Sequence, residues 1–367
     1  MKNACVVLKN ESGTPQDRAY STLLKGFASC GYAFGETRIL SCPPNEKLVR
    51  TLNDLKAEYD TLLVLTEKNS LPSVKSLASG VFREDNFTGA ENGGGIFAEN
   101  EKTLFLLPAD GEETLSYIKT VCVPYLSKKF GTRLDKLVVR AVGASESRVK
   151  SLIASARTLS KDKMRYCHTR LYDEDIVEIF YDQTAPKMLL DDVLRVFAEG
   201  FGDTMYALDD TALEEQLVRL LKIRGQKISV AESFTGGGIA SKIVSVSGAS
   251  EVYFEGLNTY NELSKVKRLG VSEYTLGTVG AVSDQTAYEM AAGLIATGNC
   301  DISIATTGLA GPKSDKSMLP VGLCYIAVGT RERVFVYRYK FDGSRETITK
   351  KAINYALFLA YKQLKNM

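Results

Sequence analysis

Histidine and tryptophan are nearly missing from this chain of 367 residues, which has one histidine, His168, and no tryptophan. A single histidine excludes a Ser/His/Asp triad unless His168 itself takes part. It lies in a polar segment beside Cys167, where a surface histidine is the expectation. The seven cysteines (5, 30, 42, 122, 167, 300 and 324) are scattered, odd in number and without any C-x-x-C, which argues against a disulfide framework or a zinc knuckle and for a reducing cytoplasm. No apolar run approaches the ~20 residues of a membrane helix. The start MKNACVVLKNESG lacks the apolar core of a signal peptide, so neither a span nor export is expected. A net charge of +2 lacks the basic excess of a nucleic-acid binder. The patterns G-x-x-x-x-G-K-[ST] and G-x-G-x-x-G are absent, against a nucleoside triphosphatase or a dinucleotide fold.

What is present is an ordinary globular composition, 44% hydrophobic and 25% charged, long enough for two or three domains. Strand-like runs at 3–9, 35–41 and 60–65 alternate with helical stretches near 17–30 and 45–57. After a polar, Gly-rich interval at 69–100 come a strand at 103–107, a helix at 112–128 and a strand at 137–142. The alternation predicts a parallel α/β domain over 1–143. Residues 144–206 read as a small α+β module: a helix opened by Ser145, Glu146 and Ser147, strands at 164–171 and 175–181, and a helix at 186–202. Its size is that of an RNA-binding KH module, but the basic G-x-x-G clamp is missing, so a spacer or dimerisation unit is expected and RNA binding is not. Asp209, Asp210 and Thr211 cap a helix at 212–223 that opens a third domain, 207–367, again of alternating strands and helices.

The third domain holds the residues that could carry chemistry. An apolar strand at 227–231 runs into SFTGGG, with Thr235, Gly236, Gly237 and Gly238 opening a helix to about residue 244. Such a helix start can offer N–H groups and a positive dipole end to a phosphate or carboxylate; the glycines alone fit equally a capped helix packed on a sheet. TTGLAGP at 306–312 brings Thr306, Thr307 and Gly308 to the end of another strand, and GSR at 343–345 puts Arg345 in the first turn of the last helix. Sites in α/β folds gather at the carboxyl ends of strands, so these loops are expected to meet. Ser250 closes SGAS, and Tyr260 and Lys265 follow at ten and fifteen residues. A serine needs a base, and a desolvated lysine can replace histidine in that role. Lys265 shares a helical face with Leu269, which would bury it and lower its pKa.

The series AESFTGGG, SGAS, GLNTYNELSK, GAVS at 280–283, MAAGL at 290–294, TTGLAGP, PVG at 320–322 and GSR resembles, in motif order throughout 207–367, the C-terminal domain of the competence/damage-inducible CinA family. Members of that family include nicotinamide-nucleotide amidases. The resemblance implies hydrolysis of the carboxamide of nicotinamide mononucleotide to nicotinic acid mononucleotide and ammonia, without metal or organic cofactor, by a homodimer; charge and the lack of long apolar runs leave neither nucleic acid nor membrane as an expected partner. By the same resemblance Ser250, Tyr260, Lys265 and Arg345 are the catalytic group, with Lys265 as base and Ser250 as nucleophile. Ser233, Thr235, Gly236, Gly237, Thr307 and Gly308 are expected to bind the substrate, loop N–H groups stabilising the oxyanion. Residues 1–143 resemble the family's molybdopterin-binding-like domain in element order and in LFLLPADGEE at 104–113, in degenerate form, since TEKNSLPS stands where its phosphate loop and acidic pair belong. The chain departs from the family pattern at Phe234, usually cysteine, at Ser344, usually aspartate, and at KSDKSML, 313–319.

Overall fold

A computed structural model describes residues 2–9, 14–90, 93–131, 134–314 and 318–366. The fold is mixed α/β with three sheets, and the chain forms two compact units. One comprises Met1–Lys136, Lys163–Cys167 and Glu178–Pro186; the other comprises Leu137–Asp162, His168–Val177 and Lys187–Met367.

The first unit is built on strands β1 (Asn3–Lys9), β2 (Glu36–Ser41), β3 (Thr61–Thr66), β4 (Phe87–Gly89), β5 (Gly95–Glu99) and β6 (Lys102–Pro108), in the order β2-β1-β3-β6-β5-β4. The first four in that order are parallel, and β5 and β4 extend the sheet antiparallel. Helices α1 (Thr14–Ser29), α2 (Glu46–Glu58), α3 (Leu71–Ala78), α4 (Gly111–Tyr117) and α5 (Val123–Phe130) complete it. Strand side chains alternate between faces. Ala4, Val6 and Leu8 of β1 therefore join one core cluster, and Cys5 and Val7 another. The polar, Gly-rich interval 69–100, to which the sequence pattern assigns no element, contains α3, β4 and β5, and the helix expected at 112–128 is divided by a π-turn at Ile118–Cys122.

Strands β7 (Leu134–Val142), β8 (Arg165–Leu171), β9 (Glu174–Asp182) and β10 (Met205–Ala207) form a sheet in the order β10-β7-β9-β8, with α6 (Glu146–Ser160) and α7 (Lys187–Phe201) between them in sequence. His168 is not the surface histidine expected: its side chain is only 19% exposed, and Nε2 lies 2.8 Å from Oδ1 of the fully buried Asp175.

The second unit carries the sheet of interest. Helix α8 (Leu213–Arg224) leads to β11 (Ile228–Glu232), α9 (Gly238–Val244), β12 (Tyr253–Asn258), α10 (Glu262–Leu269), α11 (Glu273–Thr278), α12 (Asp284–Ala296), β13 (Ile302–Gly308), β14 (Leu323–Thr330), β15 (Val334–Lys340) and α13 (Arg345–Asn366). The order is β12-β11-β13-β14-β15, with β12, β11 and β13 parallel and β14 and β15 antiparallel. The start of α8 differs from expectation: Glu215 accepts from the Ala212 N–H, and Asp209 accepts from the Thr211 N–H. Ile228, Val230, Ile302 and Ile304 face the cluster that contains α8 and α13 residues, and Ala231 and Ala305 face the α12 cluster. Both faces of the sheet are therefore covered, and the carboxyl ends of β11 and β13 lie side by side in register, Glu232 opposite Thr306.

Candidate active site

Alternation along β11 decides what the next two residues do. Glu232 points to the α9 face, where its carboxylate accepts from the N–H groups of Gly237 (3.1 Å), Ile239 (3.1 Å) and Ala240 (2.9 Å) and is 1% exposed. This corrects the expectation of open N–H groups at the helix start, because the chain's own carboxylate occupies them. The helix starts at Gly238 rather than Thr235, since Gly236 and Gly237 take φ of +60° and +95°, a left-handed stretch that closes the turn. Among the described residues the N–H groups of Phe234 and Thr235 carry no hydrogen bond.

Ser233 follows on the opposite face, 8% exposed, its backbone N–H donating to the Thr306 carbonyl at 3.1 Å. Its partner is Lys265. Lys265 and Leu269 are the two buried residues of α10, and Lys265 is 1% exposed. Its Nζ lies 3.2 Å from Ser233 Oγ, donates to the Thr259 carbonyl at 2.6 Å and reaches the Tyr260 carbonyl at 3.4 Å. All three partners are neutral. Burial therefore lowers the lysine from 10.5 to about 8, opposed only in part by the charge of Glu262. A neutral amine placed here donates its two N–H groups to the carbonyls and turns its lone pair to the serine hydroxyl.

The other strand ends close around this pair. Thr235 Oγ1 and Thr306 Oγ1 are hydrogen-bonded at 2.7 Å, both buried. Thr307 Oγ1 donates to the Ala281 carbonyl at 2.5 Å and so ties the 280–283 loop to β13. Gly308 ends β13 opposite Cys324, where an added Cβ would lie 2.5 Å from the Cys324 Cβ. Arg345, the first residue of α13, donates through one terminal nitrogen to the Gly311 carbonyl at 2.7 Å, and the other lies 3.4 Å from the hydroxyl of Tyr260, a residue 66% exposed.

Ser250 is not part of this gathering. It is exposed in the short turn before β12, at the amino end of the parallel strands, whereas Lys265 and Ser233 sit at their carboxyl end. The six residues of β12 place about 20 Å between the two ends. The serine within reach of the lysine is Ser233. Its position directly after a buried strand was the available signal, since a serine preceding a parallel strand belongs to the wrong edge of the sheet. Glu232 and Thr259 were not singled out for these roles, although each falls in a motif that was; Thr306 was expected at the strand end, where its hydroxyl is bonded to that of Thr235.

A profile of the CinA C-terminal domain matches residues 210–364. Over 275 residues the chain is 36% identical to a protein of Caldicellulosiruptor saccharolyticus that bears the competence-damage inducible name, a match covering 74% of this chain and 67% of that one. A CinA-like protein of Kosmotoga olearia is 33% identical over 288 residues, 77% of this chain and 68% of its own. The chain belongs to the CinA family. Among solved structures, competence damage-inducible protein A of Klebsiella pneumoniae is 33% identical, with a TM-score of 0.41, over 42% of this chain and 95% of that one.

The departures from the usual CinA pattern can be placed. Phe234, 6% exposed, packs with Ala310, Cys324, Phe341, Ile348 and Ala352, so its ring is taken up in the core beneath the turn. Ser344 accepts from the Thr347 N–H at 3.2 Å, the capping that an aspartate at this position would also supply. Of the altered segment 313–319, residues 315–317 lie outside the described residues. No helix among the described residues is long and apolar enough to cross a membrane.

Proposed function

We propose that this CinA protein hydrolyses the carboxamide of nicotinamide mononucleotide, releasing ammonia and nicotinic acid mononucleotide, with Ser233 as nucleophile and Lys265 as its base. The observation that carries this reading is the buried Lys265, which forms no salt bridge among the described residues, its Nζ 3.2 Å from Ser233 Oγ. As Oγ bonds to the carboxamide carbon, its proton passes to Nζ and the carbonyl electrons move to oxygen. The vacant N–H groups of Phe234 and Thr235 are the donors in that turn available to the oxyanion. The lysine ammonium then gives its proton to the leaving nitrogen as the C–N bond breaks, leaving an acyl ester and ammonia. Water attacks the ester with Lys265 again taking a proton, and collapse returns the hydroxyl to Ser233 and frees the carboxylate. Arg345 and Tyr260, joined at the mouth, supply positive charge and a hydroxyl to the reacting carboxamide rather than to the phosphate.

Ammonia release from purified protein given nicotinamide mononucleotide tests the reading. A positioned base is worth about 10²–10⁴-fold, so Ser233→Ala and Lys265→Ala each lower turnover by that order, and Ser250→Ala leaves it unchanged. Full activity of either of the first two variants refutes the mechanism. Binding of the nucleotide without any release by the wild type makes the protein a nucleotide-binding member of the family instead.

A further inference from the structure

The turn between β8 and β9 is built in a costly way. Tyr172 and Asp173 take φ of +53° and +60°, a left-handed pair for which two-residue hairpins ordinarily use Asn-Gly. A tyrosine there is held by what it touches, and what it touches is α13. Lys350 Nζ donates to the Tyr172 hydroxyl at 3.1 Å and lies 4.9 Å from its ring centre; Asn354 Nδ2 donates to the Tyr172 carbonyl at 3.2 Å; Lys351 pairs with Asp173 at 3.2 Å. Lys350 also binds Glu346 at 2.5 Å, one residue from Arg345. Behind the turn, the Gly143 N–H donates to the Asp173 carbonyl at 2.9 Å, and a Cβ on Gly143 would come within 2.8 Å of the Tyr355 hydroxyl.

We propose that the Tyr172–Asp173 turn is a clamp that sets the placement of α13 and, through it, of Arg345, with Tyr172 as the positioning residue. The proposal rests on the reading of Arg345 as part of the amidase site. The clamp grips positions 350, 351 and 354, while Arg345 stands one and a half turns away at the end of the same helix, about 7.5 Å along its axis from Lys350. A helix transmits a rotation along its length, so a loosened grip at 350–354 moves the guanidinium off the Gly311 carbonyl and the Tyr260 hydroxyl. A turn serving only to reverse the chain would carry Asn-Gly and would leave α13 to its apolar packing. This turn gives up the easier backbone in exchange for three polar contacts to one helix.

The test replaces the turn in the full chain by the relaxed pair, Tyr172→Asn with Asp173→Gly, which keeps the hairpin and the carbonyl that Asn354 binds and removes the side-chain contacts to Lys350 and Lys351. Two readouts are followed: amide hydrogen exchange over residues 345–351, and the separate values of kcat and KM for nicotinamide mononucleotide. The expected result is faster exchange in that segment, together with a loss in the same kinetic parameter that Arg345→Ala affects, on the order of ten-fold. In the Arg345→Ala background the turn replacement then adds less than about two-fold, because both changes remove one interaction. Tyr172→Phe, which keeps the ring and the backbone carbonyl, retains most of the activity. Unchanged exchange overturns the proposal. So do faster exchange with wild-type kinetics, and losses that multiply in full. A wild type that releases no ammonia refutes the amidase reading separately, and the clamp then stands or falls on the exchange of residues 345–351 alone.

Discussion

Replacing Lys265 by methionine should make the site inert and remove a pH-dependent cost from the stability of the unit that holds it. The side chain is 1% exposed, and its amine is lowered from 10.5 to about 8 by burial. Between those two values the unfolded chain binds the proton and the folded one does not, so wild-type stability rises with pH through this window. Below pH 8 the folded protein carries a buried ammonium at a cost of roughly 3 kcal/mol, taking about 1.4 kcal/mol per pH unit. Methionine has a similar length and no charge. It also leaves the Thr259 and Tyr260 carbonyls without their donor, which subtracts a contribution that does not depend on pH. The diagnostic quantity is therefore how the difference between the two proteins changes with pH. From pH 7 to pH 10 the wild type should gain about 2.5 kcal/mol on the variant, or roughly 5–10 °C in the midpoint of a unit of this size. Differential scanning calorimetry of both proteins at pH 7, 8, 9 and 10 measures it, with every other titration common to the pair. A difference that stays constant over this range refutes the depressed lysine, and with it the base of the proposed mechanism.

Turnover itself should rise as pH passes about 8, since only the neutral amine accepts the serine proton; a flat rate from pH 7 to 9 would show that Lys265 is not the titrating base. Arg345→Ala removes a charge-assisted hydrogen bond worth roughly 1.5–3 kcal/mol, so turnover should drop about ten- to a hundred-fold for the mononucleotide and its nucleoside alike. Steady-state kinetics on both substrates distinguish this from a phosphate grip, which would spare the nucleoside. Glu232→Gln leaves at least one of the three N–H groups at the start of α9 without its acceptor, at a cost of roughly 1–3 kcal/mol. A calorimetric midpoint lowered by about 2–10 °C is the expected result, and an unchanged midpoint would mean that the carboxylate does not hold the turn.

Periodicity and burial made much of this fold legible in advance. The β1 and β3 runs, apolar at nearly every position, announced a sheet covered on both faces, and the 3.6-residue spacing of Lys265 and Leu269 pointed to a buried lysine. What escaped was short or depended on direction. β4 has three residues and borders a Gly-rich stretch, too little pattern for a period of two to register. Ser250 looked close to Lys265 along the chain, but the parallel strand between them carries the chain from one edge of the sheet to the other. Glu232 was visible as part of a motif, yet only the alternation beyond β11 shows that its carboxylate turns back on the glycine turn. The strands expected at 164–171 and 175–181 left a turn at 172–174, but its left-handed Tyr172 was not legible, because tyrosine does not favour that backbone and tertiary contacts hold it there.

The carboxylate of Glu232 makes the Gly-rich turn a counterfeit phosphate loop. It has the outline of one, a strand, a glycine hinge and a helix end, but the protein brings its own anion as a permanent internal ligand. Inorganic phosphate or sulfate in the medium therefore finds no vacancy at that helix. For the proposed hydrolysis this separates two demands that phosphate-binding loops combine: the Glu232 carboxylate holds the turn that carries Ser233, and recognition of a substrate's charge is left to groups outside the turn.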